Sequence, residues 1–161
     1  MLLSRHFSLA EFTASTIAAR DKIPNTPDAT QTAALRLLTV NILDPLRDSI
    51  FVALFVRSGF RSSLLNAHPD IKGSDTSQHL KGEAADITAP AFAQGEVLAL
   101  AHRILVLNLP FDQLILEAWS PVTRRAKWVH VSHARLGRQR GQVLTMAYDR
   151  AGKPIYTPGL P

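Results

Sequence analysis

Apolar residues recur at Ala34, Leu35, Leu38, Ile42 and Leu46, a spacing near 3.6 that predicts an amphipathic helix from Ala29 to about Arg47. Thr26 or Asp28 can cap it, and Pro45 kinks its end or marks a new start. Upstream, Ser8 and Glu11 stand three apart in the form of a capping box, so a first helix is expected to run to about Arg20 and to be broken by Pro24 and Pro27. The pattern then changes. Ile50-Phe-Val-Ala-Leu-Phe-Val56 is an unbroken apolar run rich in β-branched and aromatic residues, bounded by Ser58-Gly59, and predicts a buried strand.

Past this strand, Ser62 or Ser63 can cap a short helix through Leu64, Leu65 and Asn66, and the polar stretch from His68 to Ser77 predicts a loop. Ala84 to Thr88 has the character of a short strand. Phe92 to Asn108 shows helical spacing in Val97, Leu98, Ala101, Ile104 and Leu105, and Asn108-Leu-Pro110 ends it. Gln113 to Glu117 and Lys127 to Ser132 predict two strands that pair antiparallel across the turn from Trp119 to Ala126. The segment 151–161, rich in proline and glycine, is expected to be a loosely packed tail on a single domain spanning 1–150. The order of elements predicts an α+β fold, with N-terminal helices packed on a small, mainly antiparallel sheet.

Composition narrows the chemistry. The chain has 161 residues, 46% of them hydrophobic, which suits one core. It has no cysteine, so disulfides, thiolate zinc sites and a thiol nucleophile are excluded, and any metal must be held by His, Asp or Glu. The net charge of +5 is concentrated in Arg124, Arg125, Lys127, Arg135, Arg138 and Arg140. Such a basic face suits an anionic wall polymer, nucleic acid or lipid, or is simply solvated; no helix-turn-helix or aromatic-basic interleaving supports a nucleic-acid partner. No apolar run is long enough to span a bilayer, and the start MLLSRHFS has no signal-peptide core. Secretion by the usual route is therefore not expected.

The densest polar cluster is Ser77-Gln-His79-Leu-Lys-Gly82-Glu83-Ala-Ala-Asp86. On one continuous helix His79 and Asp86 would be ~10 Å apart along the axis, too far to share an ion with bonds of ~2 Å. Gly82 must therefore turn the chain back, which predicts loop followed by strand. A third ligand must come from elsewhere, and Trp128-Val-His130-Val-Ser132 offers one. Alternation on that strand puts Trp128, His130 and Ser132 on one face and Val129, Val131 and His133 on the other. Considered alone, His130 would pass for a half-buried sheet histidine.

Arg57-Ser-Gly-Phe-Arg61-Ser, the cluster from Ser77 to Asp86, and Trp128-Val-His130-Val resemble, in this order, the motifs of the M15 zinc peptidases, the D-alanyl-D-alanine carboxypeptidase and phage endolysin group. Phe7 to Phe12, Leu43 to Arg47 and Phe111 to Ile115 extend the resemblance to small phage and prophage members. It implies a hedgehog/DD-peptidase-like fold and Zn2+ bound by His79, Asp86 and His130. It further implies a carboxylate that activates water, an arginine that holds substrate, and peptidoglycan stem peptides as the substrate. Arg61 matches the family's Gly-Tyr-Arg position, with Phe60 for the common Tyr, and is the candidate grip; a structural pair with Asp70 or Asp75 is its alternative. Ser77 and Gln78 are expected to fix the loop and the His79 ring and to border the substrate.

The chain departs from the family pattern at position 127, where a lysine stands in place of the usual acid. Glu117, ending the strand expected beside that of His130, is the candidate general base, against the alternative of a strand-end glutamate in solvent. His133 is the fallback, as a proton donor or oxyanion partner. Glu83 is expected to face solvent or pair with Lys81. A phage or prophage lysis protein would be made in the cytoplasm and reach the wall through a holin-type partner or on a virion, acting as a monomer. The competing expectation is a wall-binding or virion module that keeps the metal and does not turn over.

Overall fold

The computed structural model describes all 161 residues. In chain order it contains helices α1 (Leu9–Thr13), α2 (Thr16–Arg20), α3 (Ala29–Leu38) and α4 (Asp44–Ile50), strand β1 (Phe55–Ser58), and helix α5 (Ser63–Asn66). Strand β2 (Ala84–Thr88), helix α6 (Val97–Val106) and strands β3 (Gln113–Glu117), β4 (Trp128–Ser132), β5 (Gln142–Tyr148) and β6 (Pro154–Pro158) follow. The fold is α+β, as expected.

Ser8 starts α1 with its N–H donating to Glu11 Oε2 at 2.7 Å. The expected single helix to Arg20 is instead two, because Ala14 takes extended backbone and Ser15 caps a new start by accepting from the Ala18 N–H. Asp28 and Gln31 form the reciprocal capping box of α3. The long helix from Ala29 continues through a π-helical stretch, Thr39–Leu43, into α4. Pro45 accounts for the irregularity: it has no N–H to give to the carbonyl four residues back, and the wider turn absorbs the missing bond.

The predicted strand at Ile50–Val56 is displaced. The helix runs on to Ile50, Phe51 closes it in the left-handed region at φ 56°, and pairing starts only at Phe55. An unbroken apolar run carries no period by which a helix end and a strand can be told apart.

All six strands form one sheet in the order β1-β2-β4-β3-β5-β6, antiparallel except for the parallel β3–β5 pair. One face is closed. Ala85, Ile87, Leu114, Leu116, Val129 and Val131 are buried there with Leu35, Leu38, Ile42 and Leu46 of the long helix and with Leu100 and Ile104 of α6. Burial of each large aliphatic side chain contributes roughly 1.5–3 kcal/mol, so this sandwich fixes the plane of the sheet. The other face is free to carry chemistry.

The chain end differs from expectation. Residues 154–158 are not a loose tail but strand β6, paired with β5 from Leu144↔Pro158 to Tyr148↔Pro154. Its prolines sit at the strand ends of a sheet edge, where a missing N–H costs little. No helix is long and apolar enough to cross a membrane.

Candidate metal centre

The antiparallel register places Asp86 of β2 directly opposite His130 of β4, so both side chains project from the open face of the sheet as neighbours. His79 arrives from outside the sheet. It sits in a 3-10 turn, Gln78–Lys81, that ends at Gly82 with φ 70°. A Cβ at Gly82 would lie 2.5 Å from the Gln31 carbonyl oxygen, so the predicted reversal needs glycine for both its conformation and its close approach. Gln31 also anchors the turn, its Nε2 donating to the Leu80 carbonyl at 3.0 Å.

The His79 ring is oriented by its Nδ1–H, which donates to the Gly59 carbonyl at 2.6 Å and leaves Nε2 facing Asp86. Gly59 in turn lies tight on α1, where an added Cβ would come within 2.6 Å of the Phe12 carbonyl oxygen. His79 Nε2 is 3.3 Å from Asp86 Oδ1, and His130 Nδ1 is 3.0 Å from the same oxygen. All three residues are buried, and the three ligand atoms lie within 4.8 Å of one another. Donors bonded tetrahedrally to one ion at ~2 Å stand about 3.3 Å apart, so these residues fit a single divalent cation.

Electrostatics favour the ligand forms. Burial lowers the His79 pKa against the opposing pull of Asp86, in the direction of the neutral form that a metal ligand takes. Burial alone would push the Asp86 carboxyl up, but the imidazoles of His79 and His130 reverse this and hold it well below the usual carboxylate range. The other Asp86 oxygen, Oδ2, is 3.0 Å from Arg61 Nη2, and Arg61 Nε donates to Ser58 Oγ at 3.0 Å.

Arg61 is therefore partnered neither by Asp75 nor by Asp70, which pairs with Arg20. It braces Asp86 and lines the cleft.

Glu117 falls where the strand pairing predicts. Ile115 is opposite His130 and Glu117 opposite Trp128, so Glu117 lies on the metal-facing side one rung along the strand from His130. Burial and then the Asp86 charge raise its pKa, with His130 and Arg61 opposing. It lines a cleft of about 1220 Å³ together with His79, Asp86, His130, Ser77, Gln78 and Lys127.

Other expectations are redirected. Gln78 does border the cleft, but its Nε2 donates to Asp112 Oδ2 at 2.8 Å. His133 is turned away: its ring meets Asn41 Nδ2 at 3.3 Å, within the π-helical stretch, and it does not line the cleft. This is the consequence of strand alternation beyond Ser132. Glu83 is not paired with Lys81; its Oε1 accepts the Arg135 N–H, and its carbonyl accepts the His133 N–H.

Sequence reasoning missed the Asp112–Arg140 pair. Buried Asp112 accepts the Arg140 backbone N–H at 3.0 Å and its guanidinium at 2.6 Å as well as Gln78. The pair ties the His79 turn to the lead-in of β5. The available signal was an acidic residue between Phe111 and an apolar strand; its partner 28 positions on could not be read from spacing.

Two histidines and a carboxylate, gathered on the open face of an α+β sheet and facing a cleft, define a protein built around a candidate single-metal centre. The chain belongs to the peptidase M15 family: residues 5–132 match the model described as Peptidase M15, a stretch that includes His79, Asp86 and His130. No curated protein matches the chain.

Proposed function

We propose that this protein is a zinc-dependent peptidase that hydrolyses a peptide bond in the stem or cross-link of bacterial peptidoglycan, as a small endolysin-type enzyme of phage or prophage origin. The observation that carries the reading is the convergence of three buried ligand atoms with Glu117 on the adjoining rung of one cleft. A cation held by His79, Asp86 and His130 supplies Lewis acidity to a carbonyl and acidifies water. Zinc is the ion that two histidines and one carboxylate with an open position most commonly hold, with manganese or iron the alternatives decided by availability.

The residues of the chain then have separable tasks. Glu117, with a pKa raised by its surroundings, takes the proton of the attacking water and hands it to the leaving amine as the C–N bond breaks. Arg61 holds Asp86 in its ligating pose. Gln78, fixed by Asp112, sets the His79 turn, and Ser77 borders the substrate. Arg57 lines the same cleft, and either a terminal D-Ala-D-Ala bond or an internal stem-peptide bond suits this lining. Lys127 at the position where the family commonly has an acid is the one feature that favours a non-catalytic, wall-binding module.

Digestion of purified peptidoglycan, with the new amine and carboxyl ends assigned by mass spectrometry, separates these readings. Release of one defined pair of ends supports the peptidase and names the bond. Binding to the wall without release supports the module.

A further inference from the structure

The family match ends at residue 132, yet the sheet continues through β5 and β6. Leu116 pairs in parallel with Thr145, which sets Glu117 alongside Met146, and Met146 pairs with Tyr156. A single rung of the metal-facing side thus runs Trp128, Glu117, Met146, Tyr156. One rung further, Tyr148 pairs with Pro154 on the same side. With strands ~4.8 Å apart, the Tyr156 backbone lies two strands, or about 10 Å, from that of Glu117. All of these residues line the cleft.

The two ends of the cleft differ in chemistry. Toward the start of β3 it is polar, with Gln113, Gln78 and Arg140. Toward the end it presents two tyrosines, each about half exposed (Tyr148 55%, Tyr156 50%), beside Pro154 and Met146. Burial and the nearby Glu117 carboxylate both raise the Tyr156 pKa, so its hydroxyl remains a donor. Tyrosine rings standing on a sheet face offer a broad electron-rich surface and a polar tip, and no deep apolar pocket. A pyranose ring, with an apolar C–H face edged by hydroxyls, matches that surface. An apolar peptide side chain would need a pocket.

We propose that Tyr148 and Tyr156 form a sugar subsite that holds a pyranose of the glycan strand while the attached stem peptide lies across the metal centre. This rests on the peptidoglycan reading above, and its test is separable from it. The hairpin residues are positioning groups and take no part in proton transfer.

The probes are a disaccharide-linked stem peptide, the same peptide without sugar, and peptide-free glycan strands. For the double variant Tyr148→Ala/Tyr156→Ala, KM on the sugar-linked peptide should rise about tenfold, equivalent to ~1.4 kcal/mol, with kcat within about twofold. KM on the sugar-free peptide should not move. The wild-type protein should co-sediment with peptide-free glycan, and the variant should not. Tyr156→Phe, which keeps the ring, should retain most of the binding and serves as the folded comparison should the double variant fail to fold. An unchanged KM on the sugar-linked peptide, or an equal rise on both peptides, would overturn the subsite. Should the wild type cleave neither peptide, the catalytic reading fails, and glycan co-sedimentation alone decides the subsite.

Discussion

Asp86 divides its two oxygens between tasks: Oδ1 lies between the two histidine nitrogens, and Oδ2 is held by Arg61. This separates two accounts of Arg61. Arg61→Ala should weaken metal binding by roughly 10–100-fold, read by competition with a chromophoric chelator; an arginine that served only the substrate would raise KM and leave metal affinity alone. Glu117→Gln keeps the shape of the side chain and removes the base, so kcat should fall by about 10²–10⁴ with metal stoichiometry unchanged. The Glu117 pKa is raised by burial and by Asp86, and a base must be ionised to act. Activity is therefore lost as pH falls through that raised value, and the acid limb of kcat/KM should lie above the ~4.3 of an ordinary glutamate. An acid limb that is unchanged in Glu117→Gln would remove Glu117 from the role.

Among the elements, Gly59 links the first helix to the metal centre, since its missing side chain admits Phe12 and its carbonyl receives His79. Gly59→Ala should cost about 1–3 kcal/mol, a fall in Tm of roughly 3–10 °C, and should also weaken metal binding. Thermal melts with and without added zinc would show both. The same elements show what the sequence makes legible. Alternation along the β4 stretch placed His130 on one face and His133 on the other, and the structure keeps them apart. The turn at Gly82 followed from the distance that two ligands of one ion can span. What escaped was non-local: the Asp86–Arg61 and Asp112–Arg140 pairs join residues 25 and 28 positions apart with no periodic signal. Strand β6 was hidden because proline and glycine content argues for a loose tail unless a neighbouring edge, here β5, is known to be available.

Across the whole molecule, one face of the sheet builds the core and the other carries the cleft, so stability and chemistry are largely separated. Removing residues 151–161 should leave metal binding intact, because no ligand lies there, but it would bare the β5 edge and should promote self-association, visible by light scattering. Loss of the metal on truncation would instead make the hairpin part of the centre. The central claim is that His79, Asp86 and His130 hold a catalytic metal, and the most direct measurement is elemental analysis of the purified chain alongside peptidoglycan cleavage before and after chelation. About one zinc per chain, activity lost with the metal and restored by adding it back, and both absent in His130→Ala would be the predicted result. Cleavage that survives complete removal of the metal, or a His130→Ala variant that retains full zinc and activity, would contradict it.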